Sequence, residues 1–84
     1  MSYRVELTRS AAKEVAAVPL GDRRRIVDRI AGLATDPRPD GAIRLKGSEA
    51  YRLRQGDYRI VYTIDDDRVV VTIVRVAHRR EVYR

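Results

Sequence analysis

Between Tyr51 and Ala77 the chain reads as three strand-like stretches, Tyr51 to Arg54, Tyr58 to Ile64 and Val69 to Ala77, separated by Gln55-Gly56-Asp57 and by Asp65-Asp66-Asp67. β-branched and aromatic residues bounded by Gly and Asp clusters are the signature of strands joined by tight turns. Such short connections force neighbouring strands to run antiparallel. The middle stretch is the most informative: Tyr58, Ile60, Tyr62 and Ile64 form an apolar series, and Arg59, Val61 and Thr63 fall on the other face by the two-residue period of a strand. In the last stretch both alternating series are mostly apolar, so parity alone does not choose its inner face.

The rest of the chain supplies what must cover that sheet. Tyr3, Val5 and Leu7 alternate with Arg4 and Glu6, which predicts a first strand. Ser10 is placed to cap a short helix whose Ala11, Val15 and Val18 form one stripe, and Pro19 and Gly21 interrupt it. A second helix is predicted from about Asp22 to Ala34, with Ile26, Ile30, Leu33 and Ala34 inward and Arg23, Arg24, Arg25, Asp28 and Arg29 mostly outward. Asp36-Pro37-Arg38-Pro39-Asp40-Gly41 ends it, because Pro cannot continue the hydrogen-bond ladder and Asp-Gly favours a turn. Ala42 to Lys46 offers a further short strand before Gly47. These elements predict an α+β domain, a small antiparallel sheet with a two-helix hairpin on one face in the order β-α-α-β-β-β, leaving the other face open.

With 84 residues the chain holds one core, so residues 1–84 are read as a single domain. No Cys is present and there is one His, which excludes a disulfide scaffold and the usual zinc sites. No apolar run reaches the length of a membrane span, and MSYRVEL lacks the apolar centre of a secretory signal, so the expected location is cytoplasmic. Eighteen basic residues against 12 acidic ones give a net charge of +6, which favours a polyanionic partner. All the basic residues except Lys13 and Lys46 are Arg, whose planar fork suits phosphate oxygens.

Arg52 and Arg54 share one face of their strand, with Tyr51 and Leu53 on the other. Arg44, Lys46, Arg59, Arg79 and Arg80 are expected to approach them through the hairpins and the tail, forming an anion-binding surface with Arg59 best placed. If His78 stands beside Arg59, it is the side chain suited to proton transfer near neutrality. Tyr83 is open to three readings: capping the core, stacking on a base, or neither. The triplet Asp65 to Asp67 lacks the spacing of a calcium loop and reads as a turn, and no phosphate-binding glycine loop, HExxH helix or serine triad is evident.

Leu45-Lys46-Gly47, the run from Tyr51 to Tyr62 with its Gly56-Asp57-Tyr58-Arg59, and His78-Arg79-Arg80-Glu81-Val82-Tyr83 resemble the RelE/ParE toxin superfamily, in particular its RelE-like branch. The resemblance covers essentially the whole chain. It implies a sheet with helices on one side, and the toxin of a type II toxin-antitoxin pair that enters the ribosomal A site and cuts mRNA there. It further implies that Arg52, Arg54, Arg59, His78, Arg79 and Tyr83 surround the scissile phosphate, with Arg80 interchangeable with its neighbour. Arg59, His78, Arg79 and Tyr83 are the expected catalytic group, and Arg44, Lys46, Arg52, Arg54 and Arg80 the expected RNA and phosphate contacts. No metal or other cofactor is expected, because the substrate's own 2′-OH attacks the adjacent phosphate. The implied partners are a cognate antitoxin, in a heterotetramer or higher assembly, and the ribosome carrying mRNA, with no membrane.

Some relatives carry Lys at the positions of Arg52 and Arg54. An Arg is a poor base because it stays protonated, which directs the expectation of proton transfer to His78. The chain ends one residue after Tyr83, without the extra C-terminal helix of some relatives, so an antitoxin is expected to cover the basic face or the helices with its own segment. A gyrase inhibitor of the ParE type and a non-catalytic ribosome- or RNA-binding regulator are the competing readings.

Overall fold

A computed structural model describes residues 2–82. The elements are β1 (Arg4–Leu7), α1 (Arg9–Ala17), α2 (Leu20–Gly32), β2 (Ile43–Arg44), β3 (Ala50–Gln55), β4 (Tyr58–Asp65), β5 (Val70–His78) and a single terminal turn of helix, α3 (Arg79–Val82). Among the described residues one five-stranded sheet forms in the order β1-β5-β4-β3-β2. The strands from β2 to β5 are antiparallel neighbours, whereas β1 lies parallel to β5, with Arg4 opposite Val70 and Leu7 opposite Ile73. The sheet is therefore mixed rather than wholly antiparallel. Short turns set direction only for strands they join, and β1 and β5 are joined through the whole of the intervening chain.

Thr8, not Ser10, caps α1: its Oγ1 accepts from the Ala11 N–H at 3.1 Å, a contact of the kind that contributes about 1 kcal/mol. The helix ends at Val18, which is held extended (φ −75°, ψ 139°) by the proline that follows it. Pro19 then becomes the residue preceding α2, and Gly21 falls inside that helix, so the interruption between helices is confined to Val18-Pro19. Asp22 in the first turn and Arg29 in the last complement the dipole of α2.

The core lies between the helix pair and one face of the sheet. Ala11, Val18, Ile26, Ile30 and Leu33 meet Leu53, Ile60, Tyr62, Val71, Ile73 and Val76, all of them buried. Burying a side chain of this size stabilises the fold by about 1.5–3 kcal/mol. Leu53, Ile60 and Val76 form one cross-strand row, and Tyr51, Tyr62 and Ile73 the next. Between these rows the register shifts: Val61 opposes Arg75, yet Tyr62 opposes Ile73, so Val74 is a bulged residue. Inward-facing residues are consequently odd-numbered before the bulge (Val71, Ile73) and even-numbered after it (Val76, His78). That switch is why both series of the last strand are apolar.

The bulge lies where β1 ends. Beyond Ile73 the outer edge of β5 is satisfied by α1: Glu14 Oε1 accepts from the Val76 N–H at 2.8 Å and also pairs with Arg75 at 3.6 Å. The opposite end of the sheet is tied to the α2–β2 connector. The buried Tyr62 hydroxyl donates to the Pro37 carbonyl at 2.8 Å. Arg38 pairs with Asp66 at 2.9 Å and donates to the Tyr51 hydroxyl, and Tyr3 donates to Asp66 at 2.7 Å. The Asp triplet is a turn as read, with Asp65 Oδ1 accepting from the N–H groups of Asp67 and Arg68.

Candidate functional site

The face of the sheet turned away from α1 and α2 carries an unusual concentration of cation. Cross-strand partners share a face, so the row Arg54, Arg59, Ala77 and the adjacent row Arg52, Val61, Arg75 are presented together. The Gly56-Asp57 turn creates this alignment. Gly56 adopts φ +60°, the left-handed conformation that suits glycine, and the tight connection fixes Arg54 opposite Arg59. Like charges placed directly opposite disfavour the fold, so the local sequence works against stability here. Such a conflict is characteristic of a functional surface.

Arg59 lies at the centre and is 1% exposed. Burial first, and then the charges of Arg52, Arg54 and Arg79, push its guanidinium below the usual Arg range. Arg79 reaches this end of the sheet because β5 passes directly into α3, whose first residue is anchored by a 2.7 Å bond from the Arg79 N–H to the Asp57 carbonyl. The packing of α3 against β4 and β5 adds cover at the same end. Arg52 is half-buried, while Arg54 and Arg79 are exposed. Two exposed guanidinium groups and a half-buried third around a buried fourth concentrate donors suited to a phosphodiester, because each planar fork can donate two parallel hydrogen bonds to anionic oxygens.

The other expected site residues are distributed differently. Arg44 and Lys46 lie at the far end of the β2–β3 hairpin, where Arg44 opposes Tyr51 and donates to the Ser48 carbonyl at 3.3 Å. Arg44 shares the helix-facing side with its partner Tyr51, whereas Arg52, Arg54 and Arg59 lie on the other face, and Lys46 falls in the turn beyond β2. Arg80 is exposed in α3. Tyr83 lies outside the described residues.

His78 corrects an expectation. It opposes Tyr58, one step along from the Arg59–Ala77 pair, and therefore belongs to the helix-facing side of the sheet. Its ring stands edge-on to Tyr58, 5.3 Å between centroids at 88°. Its Nδ1 accepts from the Arg80 N–H at 3.3 Å. The imidazole does not stand beside Arg59. The cause is the bulge at Val74, which sets the even-numbered residues after it inward and leaves Arg75 and Ala77 on the open face.

Two contributors went unread in the sequence: Arg75, which extends the basic face, and Glu14, which holds Arg75 and the β5 edge from 62 positions away from Val76. Among the described residues no group of three or more His, Cys, Asp or Glu side chains is placed to hold a metal ion. None of the described helices is long and apolar enough to cross a membrane.

A family model described as the ParE toxin of the type II toxin-antitoxin system parDE matches residues 5–83. The chain is 33% identical over 86 residues to toxin RelG of Mycobacterium tuberculosis, covering 100% of this chain and 99% of RelG. It is 35% identical to the putative toxin RelE1 of Methanocaldococcus jannaschii, covering 96% of this chain and 93% of that protein. In three dimensions it superposes on a chain of the archaeal RelE–RelB complex from Pyrococcus horikoshii with a TM-score of 0.84 at 29% identity, covering 94% of this chain and 97% of the other.

Proposed function

The chain belongs to the RelE/ParE superfamily as a toxin of the type II toxin-antitoxin class, and from that premise we propose that it is a ribosome-dependent endoribonuclease cutting mRNA in the A site. The observation that carries the reading is the buried Arg59 with Arg52, Arg54 and Arg79 around it on the face turned away from α1 and α2. In the proposed reaction the 2′-oxygen attacks the adjacent phosphorus as the bond to the 5′-oxygen breaks. One fragment keeps a 2′,3′-cyclic phosphate and the other a 5′-hydroxyl. Charge building on the non-bridging oxygens is met by Arg59, which substrate binding must first uncover because it is 1% exposed. Arg52 and Arg54 hold the flanking backbone, and Arg79 hydrogen-bonds the departing 5′-oxygen, which takes its proton from water. Tyr83, by its place in the family motif, is assigned to orient the nucleotide, with Arg80, Arg44 and Lys46 as outlying contacts.

Arg52, Arg54, Arg59 and Arg79 are all donors, so the acceptor for the 2′-OH proton is assigned to the ribosome-bound state rather than to this cluster. That assignment makes free RNA a poor substrate, since the ribosome also supplies the in-line geometry.

A cognate antitoxin is the second proposed partner, as RelE is found with RelB in the Pyrococcus complex. An acidic segment laid over the cluster would neutralise it, exclude the ribosome and stabilise the toxin by mass action. The matched family model, being that of the ParE toxin, favours a second reading, inhibition of DNA gyrase.

One experiment separates these readings: purified toxin is added to a translating system, mRNA 5′ ends are mapped, and gyrase supercoiling is assayed in parallel. Codon-phased cuts that fall by roughly 10²–10³ in Arg59→Ala are the expected result. Ribosome binding without cuts refutes the nuclease, and inhibited gyrase with intact mRNA moves the toxin to the ParE-type target.

A further inference from the structure

We propose that His78 is a positioning residue, whose Nδ1 caps the first turn of α3 and thereby holds Arg79 against Arg59. For its consequence this inference rests on the cleavage reading, but its geometry is independent of it. A helix of one turn has almost no stability of its own, so the place of α3 (Arg79–Val82) depends on what ties it down. Among the described residues two hydrogen bonds tie it to the sheet end, beside its packing on β4 and β5. The Arg79 N–H donates to the Asp57 carbonyl at 2.7 Å, and the Arg80 N–H donates to His78 Nδ1 at 3.3 Å. The second has the form of an N-cap, in which a side chain satisfies a first-turn N–H that has no partner within the helix. Tyr58 holds the ring at the required angle by its edge-on contact. In this way a residue on the helix-facing side of β5 governs a guanidinium that acts on Arg59.

The cap requires a particular proton state. Nδ1 accepts only when it carries no hydrogen, which places the ring proton on Nε2, and the imidazolium is a donor at both nitrogens and accepts nothing. Protonation therefore removes the cap and sets a positive charge at a helix N-terminus. The charged and titratable groups on the elements packed around this end are Asp57 in the β3–β4 turn, Tyr58 on β4, Glu14 on α1, and Arg79 and Arg80 on α3 itself. The tautomer with its proton on Nε2 is thus the form that holds Arg79 in place, without His78 touching RNA.

Asparagine distinguishes a cap from a base, because its carbonyl can accept the Arg80 N–H but cannot carry a proton at neutral pH. On the positioning account His78→Asn keeps cutting within about threefold of wild type, while His78→Ala falls about tenfold, the scale of a lost cap. Asparagine as inactive as alanine, with both variants folded and bound to ribosomes, overturns the proposal in favour of a base. Because the chain has a single His, ¹⁵N NMR of the wild-type ring reads the tautomer without ambiguity. A proton on Nε2 together with slow exchange of the Arg80 amide supports the cap, and a proton on Nδ1 or a freely exchanging Arg80 amide refutes it. Should wild type cut no mRNA on ribosomes, the nuclease reading falls alone, and the NMR result still decides the cap.

Discussion

Removing one oxygen, in Tyr62→Phe, tests how the connector that leads into the sheet is held. Tyr62 is 0% exposed, and its hydroxyl donates to the Pro37 carbonyl at 2.8 Å. Phenylalanine fills nearly the same volume, so the packing against Tyr51, whose ring stacks at 5.8 Å, is retained. What is lost is a buried hydrogen bond, and the Pro37 carbonyl is left without it. Together these cost about 1–2 kcal/mol, or roughly 5–12 °C in Tm for a domain of this length.

The same group makes a prediction in pH. Burial is the main cause that pushes the Tyr62 phenol up to about 12, from the ordinary value of 10.0. A folded-state value above the unfolded one means that the hydroxyl's contribution is complete below pH 10 and is lost as pH rises toward 12. Two units correspond to about 2–3 kcal/mol. Urea denaturation at intervals between about pH 8 and pH 12 should therefore show wild type losing this stability on the alkaline limb, and Tyr62→Phe, weaker at pH 8, closing the gap. Tyr3, whose phenol is also raised by its bond to Asp66, is present in both proteins and cancels in the comparison. Equal stability of the two at pH 8, or parallel alkaline limbs, would refute the reasoning.

Asp66 acts at the other end of the pH scale. Hydrogen bonds from Arg38 and then Tyr3 hold its carboxyl below the usual range, so its contribution is present above the unfolded carboxylate value and lost as pH falls through the folded one. Asp66→Asn should flatten the acid limb of a denaturation profile, and an unchanged limb would show that the Arg38–Asp66 pair is energetically idle. Val69 is a β-branched residue at φ +60°, a conformation that ordinarily costs about 1–3 kcal/mol. Val69→Asn should raise stability in urea by about 1 kcal/mol, since Asn tolerates this region; a loss would mean that the strain is smaller than the side-chain contacts given up. Arg54→Gln relieves like-charge repulsion across the β3–β4 pair, so its denaturation midpoint should rise while mRNA cutting falls. A midpoint that falls would show that the guanidinium is held by attractive contacts.

What could be read from the residues, and what could not, divides along one physical line. β4 was legible because it is buried by helices on one face only, so Tyr58, Ile60 and Tyr62 separate from Arg59 by simple alternation, and the neighbouring Arg52 and Arg54 follow once the turn sets the register. The helix pair and its apolar stripe were legible for the same reason, through Ile26, Ile30 and Leu33. β5 defeated that approach. Its bulge at Val74 arises where β1 stops and α1 takes over the edge, through Thr8 Oγ1 on the Val74 carbonyl at 3.4 Å and Glu14 on the Val76 N–H. Contacts so distant in the chain leave no periodic trace. Yet the bulge decides which side of the sheet receives Arg75 and which receives His78, and so separates the guanidinium cluster from the imidazole. A side chain four positions beyond an unread bulge cannot be assigned to a face from spacing alone, and in this fold that single inserted residue separates a histidine that touches the phosphate from one that acts through the backbone of Arg80.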